Sequence, residues 1–170
     1  MSSRQHDQVN SGFAINEDLV LMNQIASSRD QILMDLSDLL YTHGYVKDSF
    51  PEALLKREKE FPTGLLTSSV GIAIPHTDID HVIRPAIAIA TMVEPVTFQV
   101  MASPDETVPV HVVILMAIHK PEAQLSMLQK IIEMIQNKEA LEQLHAAQSK
   151  SEVVGIVKQY LFATGGESLN

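Results

Sequence analysis

Apolar positions divide this chain into three zones. Between residues 28 and 61 they recur at three- and four-residue intervals. Between 70 and 118 they alternate or run on continuously, and beyond 121 the helical interval returns. In the first zone, Ser28 and Gln31 have capping-box spacing, Ile32, Leu36, Leu39, Leu40 and His43 share one helical face, and Gly44 supplies the stop. A second start follows at Ser49-Phe50-Pro51-Glu52, again Ser-x-x-Glu with a proline in the first turn. It predicts a helix through Leu54 and Arg57 that breaks at Pro62-Thr63-Gly64. Ahead of both, residues 19–22 form a short apolar run that suits either a strand or the approach to the first helix.

The middle zone reads as β-structure. Residues 70–74 and 86–93 have strand length and composition, and Val96, Phe98 and Val100 alternate as in a strand with one buried face. Residues 101–107 read as a polar loop. Residues 108–118 are nearly all apolar, as expected of a central strand buried on both sides, with Pro109 limiting how early its pairing begins. In the last zone, Pro121 opens a helix with Leu125, Leu128, Ile131, Ile132 and Ile135 on one face. A short helix over 138–145 follows. Ser149 and Glu152 then cap a final helix with Val153, Ile156, Val157 and Tyr160 inward. Helices before and after a block of strands predict an α/β fold, a mixed β-sheet flanked by helices. It forms one domain over 17–163, between an N-terminal tail (1–16) and a C-terminal tail (164–170).

Composition changes this picture only by exclusion. The chain has 170 residues, 45% of them hydrophobic, and a formal net charge of −9. That is enough for a core and ill suited to a nucleic-acid surface. No apolar run reaches the length of a membrane span, so no direct membrane insertion is expected, and the first residues lack a secretory pattern, which points to the cytoplasm. With no cysteine, thiolate chemistry is out. Seven histidines make imidazole the natural candidate for a nucleophile or proton carrier.

His76 is the first of these, because Pro75 keeps the strand extended up to it and presents the ring at the strand end. Upstream, Arg57 offers a guanidinium fork for phosphate oxygens, and Thr63 offers a hydroxyl. Downstream, His111 replaces an aliphatic residue inside an apolar strand and needs a partner if buried. Plain readings stand beside each: a loop histidine after a proline, an arginine on a solvated face, a helix-terminating Thr-Gly, and a core histidine bonded to a carbonyl. Asp78, Asp80 and His81 could ligate zinc or manganese, or could simply build a turn. Neither a phosphate-cradling glycine loop nor a Gly-x-Ser-x-Gly elbow is present.

From Arg57-Glu58 through Phe61-Pro62-Thr63-Gly64-Leu65 to Gly71-Ile72-Ala73-Ile74-Pro75-His76, the sequence resembles the EIIA domain of the fructose/mannitol class of the bacterial phosphoenolpyruvate-dependent sugar phosphotransferase system. The Phe-Pro-Thr-Gly form is similar to the galactitol-type branch. The resemblance implies a phosphocarrier with the mannitol/fructose-type EIIA fold and no metal or organic cofactor. It would accept a phosphoryl group from phospho-HPr on His76 and pass it to a cysteine of an EIIB that works with a membrane EIIC. It further implies that Arg57 and His111 balance the phosphate charge, with Thr63, Gly64 and Pro75 at the phosphate or partner surface. One departure is Gln124-Leu125, where many relatives carry His-Leu; His119 is not its positional equivalent. The alternative is a regulatory module phosphorylated on His76 that acts by binding a partner.

Overall fold

A computed structural model describes residues 12–162; the expected C-terminal tail and residues 1–11 lie outside that range. Its centre is a five-stranded mixed sheet of β1 (Val20–Gln24), β2 (Gly64–Leu65), β3 (Gly71–Ala73), β4 (Ala86–Val100) and β5 (Ser103–Ala117). β1 lies parallel to β4, β4 antiparallel to β5, β5 parallel to β3, and β3 antiparallel to β2. Gly64 of β2 comes back to Val100 of β4, so four strands almost close on themselves at the hairpin tip. Two glycines permit that closeness. A Cβ on Gly64 would lie 2.6 Å from the Gln99 carbonyl oxygen, and one on Gly71 would collide with the carbonyl oxygen of Pro109.

Helices cover both faces. α1 (Arg29–Thr42) and α2 (Phe50–Glu60) pack on one, against Ala73, Ala86, Ala88, Ala90, Val113 and Leu115. α3 (Pro121–Ile135), α4 (Lys138–Ala146) and α5 (Lys150–Leu161) pack on the other, against Ile72, Ile74, Ile87, Ile89, Ile114 and Met116. The small residues of the first face and the isoleucines of the second follow the two-residue period of β4.

β5 breaks that period at one residue. Gly71 pairs with Val110 but Ile72 pairs with Val112, leaving His111 as the extra residue of a bulge. Val108 and Val110 therefore face the α1–α2 layer along with the odd-numbered Val113 and Leu115, while Val112 and Ile114 face the other layer. Without the bulge, one end of the strand would turn its valines to the wrong side.

Several expectations need correction. Packed structure starts before residue 17: Phe13 and Ile15 are buried, and Ala14 pairs with Ala86 through hydrogen bonds of 3.0 and 2.9 Å to its neighbours Pro85 and Ile87. The loop expected over 101–107 shrinks to Met101-Ala102, where Ala102 has φ 65°, and the polar residues after it form the exposed start of β5. Pro109 sits within the pairing, opposite Thr97. On α3 the buried stripe is Met127, Ile131 and Met134, whereas Leu125 and Ile132 are 61% and 39% exposed. Leu/Ile spacing fits either rotation of that helix, and contact with the sheet selected one. Ser49 precedes α2 without capping it; its hydroxyl bonds His81 Nδ1 instead, at 2.8 Å. Ser28 and Ser149 do cap, accepting from Gln31 and Glu152 N–H. His43 caps the exposed end of α1, with Gly44 at φ 82° after it.

Candidate functional site

His76 stands just past β3, where the sheet hands it over to a turn. Pro75 has no N–H, but its carbonyl accepts from Met116 N–H at 3.0 Å, so the chain remains docked on β5 up to the histidine. The ring is 9% exposed, and its Nδ1 lies 3.0 Å from the Ile74 carbonyl oxygen. A carbonyl can only accept, so Nδ1 carries the proton and Nε2 of the neutral ring keeps its lone pair. Burial pushes the His76 pKa below its ordinary 6.5; the Ile74 carbonyl opposes this, Arg57 adds to it, and Asp78 opposes it. The ring is thus neutral at pH 7. If it becomes cationic through bond formation at Nε2, the Ile74 carbonyl and Asp78 favour that charge.

Arg57 faces the same region from α2. Its guanidinium lies over the Phe61 ring, 4.5 Å from the centroid, and Phe61 itself is 58% exposed. Between α2 and the turn after His76 runs a cleft of about 400 Å³, lined by Ser49, Glu52, Ala53, Lys56, Arg57, Glu60 and Phe61 on one side. Thr77, Asp78 and His81 line the other. His76 and Arg57 are therefore brought together. Asp78 contributes field, and His81 is engaged with Ser49.

The remaining expected residues take other posts. Thr63 is 3% exposed and gives both its donors to Glu58: N–H to Oε2 at 2.7 Å and hydroxyl to Oε1 at 2.8 Å. Gly64 begins β2 beneath the β4–β5 hairpin, and Pro75 serves as an acceptor in the sheet. His111 is not at the cleft. The residue paired with His76 is Met116, five positions along β5, which corresponds to about 16 Å of strand. His111 packs instead against His145 of α4, ring centroids 4.6 Å apart, and its buried Nδ1 has no hydrogen-bond partner among the described residues. The bulge turns it toward the α3–α5 layer, a displacement that residue spacing alone does not reveal. The chain leaves β5 through His119 and Lys120, both exposed, into α3, where Gln124 is half-buried.

Two residues of this region escaped the sequence reading. Thr77, beside His76, is buried at the cleft wall. Glu58 is 1% exposed although it lies in the charged run Lys56-Arg57-Glu58-Lys59-Glu60. A signal for it existed: Phe50, Leu54 and Glu58 are spaced by four, and all three are the buried residues of α2.

The family model described as "Phosphoenolpyruvate-dependent sugar phosphotransferase system, EIIA 2" matches residues 13–160. The galactitol-specific EIIA component of Escherichia coli K12 is 34% identical over 116 residues, covering 68% of this chain and 77% of that protein. The fructose-specific EIIA component of Haloferax volcanii is 28% identical over 144 residues, covering 84% and 90%. Among solved structures, the complex of enzyme IIA-mannitol with phosphorylated enzyme IIB-mannitol from Escherichia coli superposes with a TM-score of 0.70 at 22% identity, covering 85% of this chain and 97% of that one. The mixed sheet with helices on both faces is the fold of these mannitol-type domains.

Proposed function

This chain belongs to the EIIA 2 family of the phosphoenolpyruvate-dependent sugar phosphotransferase system, whose members are phosphotransferase components, and from that premise we propose that it carries a phosphoryl group on His76. The observation that supports this reading most directly is the Nδ1 bond to Ile74, which leaves Nε2 as the nucleophilic atom beside Arg57.

The donor is phospho-HPr. The Nε2 lone pair attacks phosphorus in line, the donor's P–N bond breaks, and its electron pair returns to the donor ring as neutral imidazole. No proton has to move, because His76 keeps its Nδ1–H on the Ile74 carbonyl and each ring already bears the hydrogen it needs. Arg57 meets the charge on the transferring oxygens, and Asp78 with the Ile74 carbonyl balances the cationic phosphoimidazole ring. In the second half-reaction a thiolate of EIIB attacks the same phosphorus, and the pair returns to Nε2. An EIIB partner is in keeping with the neighbouring IIA–IIB complex, and a galactitol or similar polyol system with the galactitol-specific relative. The exposed Phe61 beside Arg57 suits a protein-facing rim.

The test is to incubate the chain with phosphoenolpyruvate, enzyme I and HPr and to look for acid-labile phosphate. Label is expected on the wild type, absent from His76→Ala, and discharged by an EIIB. Equal labelling of the alanine variant removes His76 as the acceptor. Labelled protein that discharges to no EIIB supports the regulatory alternative.

A further inference from the structure

Glu58 is a buried carboxylate that touches no reacting atom, yet a chain of hydrogen bonds runs from it to His76. Its two oxygens accept from Thr63 N–H and Thr63 hydroxyl at 2.7 and 2.8 Å. The Thr63 carbonyl accepts from Ile74 N–H at 3.3 Å, and the Ile74 carbonyl accepts from His76 Nδ1–H at 3.0 Å. At the other end, Glu58 directly follows Arg57 in α2, and the Arg57 carbonyl takes the closing N–H of Phe61 at 2.7 Å. One carboxylate therefore ties the helix that carries Arg57 to the strand that aims His76.

That tie matters because, although β5 holds one edge of this strand, the ladder on its other edge is short. β2 and β3 share only the pairs Gly64–Ala73 and Leu65–Ile72. A residue whose sole task was to fill space at this point of α2 would be apolar, as Phe50 and Leu54 are on the same face. A desolvated carboxylate is costly there unless its bonds do something an aliphatic group cannot.

We propose that Glu58 is a positioning residue for phosphoryl transfer: through Thr63 and Ile74 it fixes the Nδ1–H tautomer and the aim of His76 relative to Arg57. The inference rests on His76 being the phosphoryl acceptor. Burial, with a smaller push from Asp30, raises the Glu58 pKa to about 7, against the pull of the two Thr63 bonds and of Arg29. Above that pH both oxygens accept; below it the oxygen that carries the proton becomes a donor, which turns round its bond with the Thr63 hydroxyl and breaks up the pair of accepting bonds. The acceptance rate therefore rises with pH through about 7, separately from the titration of His76 below 6.5.

Two readouts test this on the full chain: the ¹⁵N shifts of the His76 ring, which report the tautomer, and the initial rate of labelling from phosphoenolpyruvate, enzyme I and HPr. Glu58→Gln and Thr63→Val should mix the tautomers and lower kcat by about tenfold to a hundredfold with little change in KM for phospho-HPr. Thr63→Ser, which keeps both donors, should restore both readouts, and the inflection near pH 7 should vanish in Glu58→Gln. Should Glu58→Gln fail to fold, Thr63→Val decides alone. Wild-type tautomer and a rate within about twofold in that variant overturn the proposal. If the wild type is never labelled on His76, the functional reading falls, while the ring shifts of the unphosphorylated chain still decide whether the clamp exists.

Discussion

His76 and His111 sit in similar sequence, each inside or at the end of an apolar strand, and burial holds the pKa of each below the ordinary histidine value. Their surroundings differ in what meets the ring nitrogens. At His76 a carbonyl holds Nδ1, an arginine faces the ring and a cleft lies alongside. At His111 the Nδ1 is buried with no hydrogen-bond partner among the described residues, and the neighbour is another imidazole, which further disfavours its protonation. The first arrangement fixes a tautomer and leaves one nitrogen for chemistry. The second leaves a polar atom unsatisfied, at the residue where a bulge resets which residues of β5 face each layer.

This contrast can be broken by measurement. His76→Ala should abolish labelling, a loss of at least about a thousandfold, because the proposed nucleophile is its Nε2. Arg57→Ala should slow acceptance by about 10²–10³, the usual cost of removing one donor to developing charge, with Arg57→Lys intermediate, as checked by initial rates.

A stability measurement sharpens the electrostatic side. The Glu58 carboxyl binds its proton more tightly in the folded chain (about 7) than at its ordinary 4.5. The folded state therefore holds more protons between those values, and stability falls as pH rises across that window, levelling above about 7. Urea unfolding of wild type minus Glu58→Gln should drop through this window by on the order of 3 kcal/mol.

The smallest effect is expected at the second histidine. His111→Leu should leave the labelling rate within about twofold, since its position on β5 is remote from the one paired with His76. Its unfolding free energy at pH 7 should match or slightly exceed the wild type, because an unpaired buried nitrogen is exchanged for methyl groups. The folded chain resists protonating His111, so part of the wild-type loss of stability below pH 6.5 should disappear in the variant. A tenfold fall in labelling would place His111 back in the site.

Much of this was legible in the residues. Ser28, Gly44 and Ser149 mark helix ends through bonds made within a few residues, so local sequence suffices for them. The same holds for the strand that Pro75 delivers to His76, and for the cysteine-free composition that makes imidazole the natural candidate for a nucleophile. Ser49 shows the limit: its spacing is that of a cap, but its hydroxyl goes to His81, thirty-two residues away in sequence. Tertiary structure alone decided the rotation of α3, the joining of two expected strands into β4, the shortening of the 101–107 loop, and the separation of His111 from His76. It also turned Glu58 from a member of a charged run into a buried acceptor for both donors of Thr63. The physical reason is common to all of these. Helix caps and strand periods are set by neighbours along the chain, whereas register, bulges and the partner of a buried polar atom are set by contacts between distant segments, whose alternatives the one-dimensional pattern leaves equally satisfied.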